Sequence, residues 1–139
     1  MHKTYLGLGS NLGNREQQIE RAIILIGERV GKVLRQSSLI ETEPWGFQSD
    51  NKFLNAAILC ETALTPRQLL RATQQIERKL GRRKTLRSQL PDRQYKDRSI
   101  DIDILLYDDW VINEPDLKIP HPLMEQRDFV MIPLKEIKQ

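Results

Sequence analysis

The distribution of apolar and polar residues along the chain divides it into short elements. Residues 4–8 have a strand-like pattern, and Gly9-Ser10-Asn11-Leu12-Gly13-Asn14 after them is a turn rich in capping residues. From Arg15 to Arg29 the period changes. Ile19, Ala22, Ile23, Ile26 and Val30 recur at helical spacing and make one apolar face. Residues 32–42 and 53–62 read as strands, the second a nearly continuous apolar run. Between them Glu43 to Asn51 reads as a loop carrying Trp45 and Phe47.

Thr65-Pro66-Arg67-Gln68 is a well-formed helix start, with Thr as N-cap, Pro at the first helical position and Gln three residues after the cap. That helix runs through Leu69, Thr73, Ile76 and Leu80, and Gly81 suits its C-terminal end. Residues 82–97 read as a long polar loop and Ser99 to Tyr107 as a strand. The tail from Pro120 predicts one or two short helical turns ending near Ile137. The order β-α-β-β-α-β plus tail predicts an α+β, ferredoxin-like sheet with both helices on one face. Such a fold serves many functions, so the chemistry must be sought in individual residues.

Length narrows the picture: 139 residues fit a single domain, 1–139. The one cysteine, Cys60, cannot form an internal bridge and sits in the apolar run 56–60, where it reads as a small core residue. No apolar stretch approaches the ~20 residues of a membrane span, and the start lacks a signal-peptide pattern, so a cytoplasmic location is expected. The net charge is +3, with a local concentration: Arg78, Lys79, Arg82, Arg83, Lys84, Arg87, Arg93, Lys96 and Arg98 face only Asp92 and Asp97. Such a stretch suits phosphate or nucleic acid, or is simply a solvated loop.

Ser99-Ile100-Asp101-Ile102-Asp103-Ile104 is the strongest chemical signal. Strict alternation sends the three isoleucines to the core and both aspartates to the opposite face, about 6.5–7 Å apart. Two carboxylates so placed can hold one hard cation or a close pair, and Mg²⁺ shared with substrate phosphates is the usual arrangement. An ordinary amphipathic strand with a wet face is the bland alternative. Arg98 and the basic loop beside a dicarboxylate have the composition phosphoryl transfer needs, because guanidinium groups clamp phosphate oxygens bidentately.

Other signatures are weak. There is no GxxxxGK[ST] loop, Leu12 stands where a dinucleotide fingerprint needs its third glycine, and one Cys with two His gives little basis for zinc. Pro120-His121-Pro122 presents an imidazole rigidly, although an isolated His is more often a surface or capping residue. Phe53 and Phe129 are either core aromatics or faces on which a flat heterocycle stacks. Asn55, an amide among Leu54, Ala56 and Ala57, must find partners, either a ligand edge or a backbone turn.

Taken together, Gly9-Ser10-Asn11-Leu12-Gly13, Phe53-Leu54-Asn55-Ala56-Ala57, Arg98 to Leu105, Pro120-His121-Pro122 and Arg127-Asp128-Phe129-Val130 resemble the hydroxymethyldihydropterin pyrophosphokinases of folate synthesis, over nearly the whole chain. The resemblance implies that the hydroxymethyl oxygen of 6-hydroxymethyl-7,8-dihydropterin attacks the β-phosphorus of ATP and releases AMP. It implies a pterin held between Phe53 and Phe129, its edge read by Asn55 and by the backbone around Thr42, Pro44, Trp45 and Gly46. Asp101 and Asp103 would bind two Mg²⁺ ions, and Arg82 and Arg98 would contact phosphate. His121 and Arg127 would lie near the triphosphate, Gln74 and Glu77 on the ATP side, and the backbone at Ile104, Leu117 and Lys118 near adenine. A monomer is expected, with no nucleic-acid or membrane partner.

Two departures from the family pattern stand out. The family often has Tyr where Phe53 stands, and Tyr95-Lys96-Asp97 replaces a common Trp-Gly-Pro. Two rival readings remain: a nucleic-acid-binding module of similar fold, and a non-catalytic ligand-binding domain. The first would carry the aromatic K/R-G-F/Y-G/A-F-V-x-F/Y motif, which is absent. The second would bind without turnover.

Overall fold

The computed structural model describes residues 1–42, 52–81 and 100–138. The elements run β1 (His2–Ser10), α1 (Arg15–Arg29), β2 (Gly31–Gln36), β3 (Ile40–Thr42), β4 (Phe53–Thr62), α2 (Pro66–Lys79), β5 (Asp101–Tyr107), β6 (Ile112–Glu114), β7 (Leu117–Ile119) and α3 (Asp128–Ile137). Both early helices begin as their sequences predict. Asn14 accepts from the Gln17 amide, and Thr65 forms a reciprocal capping box with Gln68.

The main sheet is antiparallel in the order β2-β4-β1-β5, with β3 also paired to β4. The stretch expected as one strand over 32–42 is thus two, β2 and β3. Ser37 joins them: its amide donates to the Ala57 carbonyl and its hydroxyl accepts from the Ala57 amide, so the ladder along β4 continues through the break. A second antiparallel pair, β6 with β7, forms a hairpin between β5 and the C-terminal helix that residue patterns do not predict.

Alternation divides the sheet residues between two cores. Leu6, Leu8, Ala56, Ile58, Cys60, Ile102 and Ile104 face α1 and α2, packing on Ile19, Ala22, Ile26, Leu69 and Ile76. Ala57, Leu59 and Leu105 face the other way and are covered by α3 through Val130, Leu134 and Ile137. The register shifts between Tyr5 and Leu6, so Leu105 is an extra residue in β5 and both Ile104 and Tyr107 still reach the first core. The predicted α+β architecture holds, with α1 and α2 on one face.

The tail is longer than one or two turns: α3 has ten residues and covers the opposite face. Its C-terminal end is clamped to β2 and the turn after it. Arg35 donates to the Ile137 carbonyl at 2.9 Å, and the amide and hydroxyl of Ser38 bond the Glu136 carboxylate at 2.8 and 3.0 Å.

Cys60 is fully buried between β4 and the helices, as its apolar neighbours predict. Burial, aided by the Glu61 charge, pushes its thiol up to about 11. The thiol therefore stays protonated and shielded at pH 8, so the native protein should react with a chromogenic disulfide reagent far more slowly than the urea-unfolded chain. Equal rates in the two states would contradict the burial.

Candidate active site

Register across the sheet assembles the predicted residues on the face that α3 covers. Gly9 of β1 pairs with Asn55 of β4 on one side and with Asp101 of β5 on the other. One step along β1, Gly7 pairs with Ala57 and Asp103. Residues paired directly across an antiparallel sheet share a face, so Asn55 and Asp101 stand about 10 Å apart with small residues between them. The two aspartates lie on the face opposite Ile100, Ile102 and Ile104, half-exposed while the isoleucines are buried.

Glycine between them has a steric reason. A β-carbon on Gly9 would approach the Asn55 Oδ1 to 3.1 Å and the Phe53 ring to 3.4 Å. The bare backbone lets both side chains lean over the strand, leaving a shallow floor beside the Phe53 ring. Asn55 is buried and does find a partner: its Nδ2 donates to the Thr42 hydroxyl at 2.8 Å. That bond fixes which end of the amide is which and presents Oδ1 toward Gly9. Arg15, at the start of α1, donates to the Lys52 carbonyl at 2.9 Å and pairs with Glu41 at 2.8 Å. Thr42 and Phe53, paired in the β3–β4 ladder, are thus held by their chain neighbours on both sides.

The second wall comes from the end of the chain. A turn of 3-10 helix at Met124–Gln126 leads into α3, whose N-cap is Arg127 and whose second residue is the half-buried Phe129. Arg127 is itself buried, with its guanidinium carbon 5.5 Å from the centre of the Phe129 ring. His121 follows the cis Ile119–Pro120 bond, and its amide donates to the Leu105 carbonyl at 3.1 Å. Its Nε2 lies 3.9 Å from Asp103 Oδ1. Burial lowers the imidazole's affinity for a proton, the Arg127 charge lowers it further, and the Asp101 carboxylate opposes both. His121 is therefore no stray surface residue: two carboxylates, an arginine and an imidazole form one electrostatic group.

Other predicted positions are placed more loosely. Ile104 and Leu117 bury their side chains in the main core, and Lys118 reaches from β7 to Asn113 at 3.0 Å. Gln74 is exposed on α2. Glu77 is buried, its carboxylate accepting from the Ile102 amide. Pro44, Trp45, Gly46, Arg82 and Arg98 lie outside the described residues, as do Arg83, Lys84, Arg87 and Arg93.

Sequence reasoning missed the side-chain part played by Thr42, the tethering by Arg15 and the steric role of Gly9. Only Gly9 had a visible signal, as a glycine at the end of a strand.

Paired carboxylates beside an imidazole and a buried arginine, on the sheet face that carries Asn55 and Phe53, have the components of a phosphoryl-transfer site. Residues 5–139 match the model of the 7,8-dihydro-6-hydroxymethylpterin-pyrophosphokinase family, and the chain belongs to that family. It is 46% identical over 134 residues to the 2-amino-4-hydroxy-6-hydroxymethyldihydropteridine pyrophosphokinase of Porphyromonas gingivalis, covering 96% of this chain and 88% of that one. The enzyme of the same name from Aquifex aeolicus is 40% identical over 138 residues, covering 99% and 81%. In fold, the chain is similar to Plasmodium falciparum HPPK-DHPS with a TM-score of 0.76 at 17% identity; the match covers 99% of this chain and 40% of that longer one.

Two substitutions test the slot. Thr42→Val keeps the shape and removes the hydroxyl that holds the Asn55 amide; pterin affinity by calorimetry should fall about three- to tenfold. Gly9→Ala should weaken it as well by pushing Asn55 aside, with a melting temperature close to that of the parent. Unchanged pterin binding in both variants would remove these residues from the slot.

Proposed function

We propose that the chain transfers the terminal pyrophosphate of ATP to the hydroxymethyl group of 6-hydroxymethyl-7,8-dihydropterin, using the site on the α3-covered face of the sheet. The oxygen of the hydroxymethyl group forms a bond to the β-phosphorus and loses its proton. The bond from the β-phosphorus to the oxygen bridging it to the α-phosphorus breaks, and AMP leaves with that oxygen. The observation that carries this reading is the register that sets Asp101 and Asp103 on the face holding Asn55 and Phe53, with His121 beside Asp103 and within the field of both Asp101 and Arg127.

The residues fit magnesium. Asp101 and Asp103 offer oxygen donors only, which suits a hard cation. Among the described residues no three or more His, Cys, Asp or Glu are placed to hold a metal ion by themselves. Mg²⁺ commonly takes one or two carboxylates and fills its shell with water and substrate oxygens, so two aspartates suffice. Asp101 and Asp103 would hold two such ions, which would supply positive charge against the phosphate oxygens.

The protein's own side chains do the rest. Phe53 and Phe129 sandwich the pterin, and Asn55 reads its polar edge. The backbone at Thr42, Pro44, Trp45 and Gly46 completes that edge. Arg127, Arg82 and Arg98 carry charge to the triphosphate, while His121, kept neutral by burial, donates a hydrogen bond there. Gln74 and the backbone at Ile104, Leu117 and Lys118 border the nucleotide. The enzyme acts as a monomer in the cytoplasm; among the described residues no helix is long and apolar enough to cross a membrane. A nucleic-acid-binding reading gains nothing from a sheet face that bears two carboxylates where aromatic stacking residues would be needed.

Incubation with ATP, Mg²⁺ and the dihydropterin should yield AMP, not ADP, read by nucleotide chromatography. Asp101→Ala and Asp103→Ala should each lower the rate by about 1,000-fold, since metal stabilisation of phosphoryl charge is worth several kcal/mol. Near-parental rates in both would eliminate the metal assignment. Arg98→Ala should reduce kcat by more than it weakens pterin binding; a loss confined to pterin affinity would contradict a phosphate contact.

A further inference from the structure

The stripe of α2 that faces the core contains one residue of the wrong chemistry. Leu69, Thr73 and Ile76 are buried along it, and Glu77 is buried with them, only 5% exposed. A carboxylate out of water is unfavourable unless its oxygens are bonded. Glu77 Oε2 accepts from the Ile102 backbone amide at 2.7 Å, within the interior.

That amide occupies a special place. Among the described residues β5 is the last strand of the sheet, with β1 on one side and no strand on the other. Ile102 is registered opposite Leu8, yet its amide hydrogen points to Glu77 and so away from β1. In an antiparallel ladder the amides of one strand point alternately to either side, so an edge strand leaves every second one open. The carboxylate from α2 accepts where a neighbouring strand's carbonyl otherwise would, at the residue between Asp101 and Asp103.

We propose that Glu77 is a positioning residue: by holding the Ile102 amide it fixes the height and direction at which Asp101 and Asp103 meet the metal and the triphosphate. The proposal rests on the functional reading above. It gives Glu77 a task different from the ATP-side contact that the family resemblance implies.

The two carboxylates share the backbone of Ile102, so a tilt of that residue moves both together. A second bond makes the restraint directional. At the far end of β5 the Tyr107 hydroxyl donates to the Leu64 carbonyl at 2.7 Å, just before α2 begins. β5 is thus strapped to the α2 segment at both ends, and the Glu77 bond is the one at the catalytic end.

The test compares Glu77→Leu, which removes the acceptor, with Glu77→Gln, which retains an acceptor oxygen without the charge. In the metal-free protein, amide exchange at Ile102 followed by NMR should be at least about tenfold faster in Glu77→Leu, with Leu6 and Leu8 still protected. Affinity for Mg²⁺ with the α,β-methylene analogue of ATP should fall about 10- to 100-fold, the usual effect of losing a group that orients a metal ligand. Glu77→Gln should keep the protection and bind within about threefold of the parent.

Unchanged Ile102 exchange in Glu77→Leu would overturn the proposal, as would a Gln variant that loses as much as the Leu variant. If Glu77→Leu does not fold, the Gln variant decides alone: retained protection and affinity support the proposal, and loss of either overturns it. The exchange arm needs neither metal nor substrate. Parental protein that makes no AMP, together with lost Ile102 protection in the Leu variant, would therefore defeat the functional reading and leave the strand restraint standing.

Discussion

The two-residue period of β5, locked in register against β1, is the constraint on which the rest of the site depends. A strand can bury isoleucines on one side and carry aspartates on the other only while the pairing holds. Slipped by one residue, the carboxylates would enter the core beneath α1 and α2, and the isoleucines would face α3. Burying two unpaired carboxylates is far costlier than any single contact in the sheet could offset. The hydrophobic effect that closes the main core therefore also aims the acidic pair.

Opposite the acidic pair, the sheet supplies a floor and α3 supplies a wall. Gly7, Gly9 and Ala57 put no large side chain between Asn55 and the acidic pair, and the hydroxyl of Thr42 holds the buried Asn55 amide in a defined orientation. Arg127 and Phe129 come from the N-terminal end of α3, whose other end is bolted to the β2–β3 turn through Arg35 and Ser38. The result is a charged half and an aromatic half that touch at His121 and Arg127. The acidic pair and the aromatic residues thus come from separate elements.

Much of this was legible in residue patterns because the physics there is local. Helical spacing located α1 from Arg15 to Arg29, the capping residues located the start of α2, and alternation gave both faces of β5. What escaped depends on residues far apart in sequence. Nothing local says that the Thr42 hydroxyl meets Asn55, that Ser37 carries a ladder across a break, or that α3 covers the second sheet face. Glu77 lies between these cases. Its position on an apolar stripe is visible in the sequence, but its partner, a backbone amide on another element, is not.

The separation of the two hydrophobic cores bears on the order in which the molecule matures. The larger core joins α1, α2 and strands from β1 to β7, whereas the smaller one requires α3, which follows them in the chain. The acidic strand can therefore be seated on the larger core before Phe129 is in place. The half-site so formed would hold charge without a slot for a ring, and competence would arrive with the docking of a single ten-residue helix.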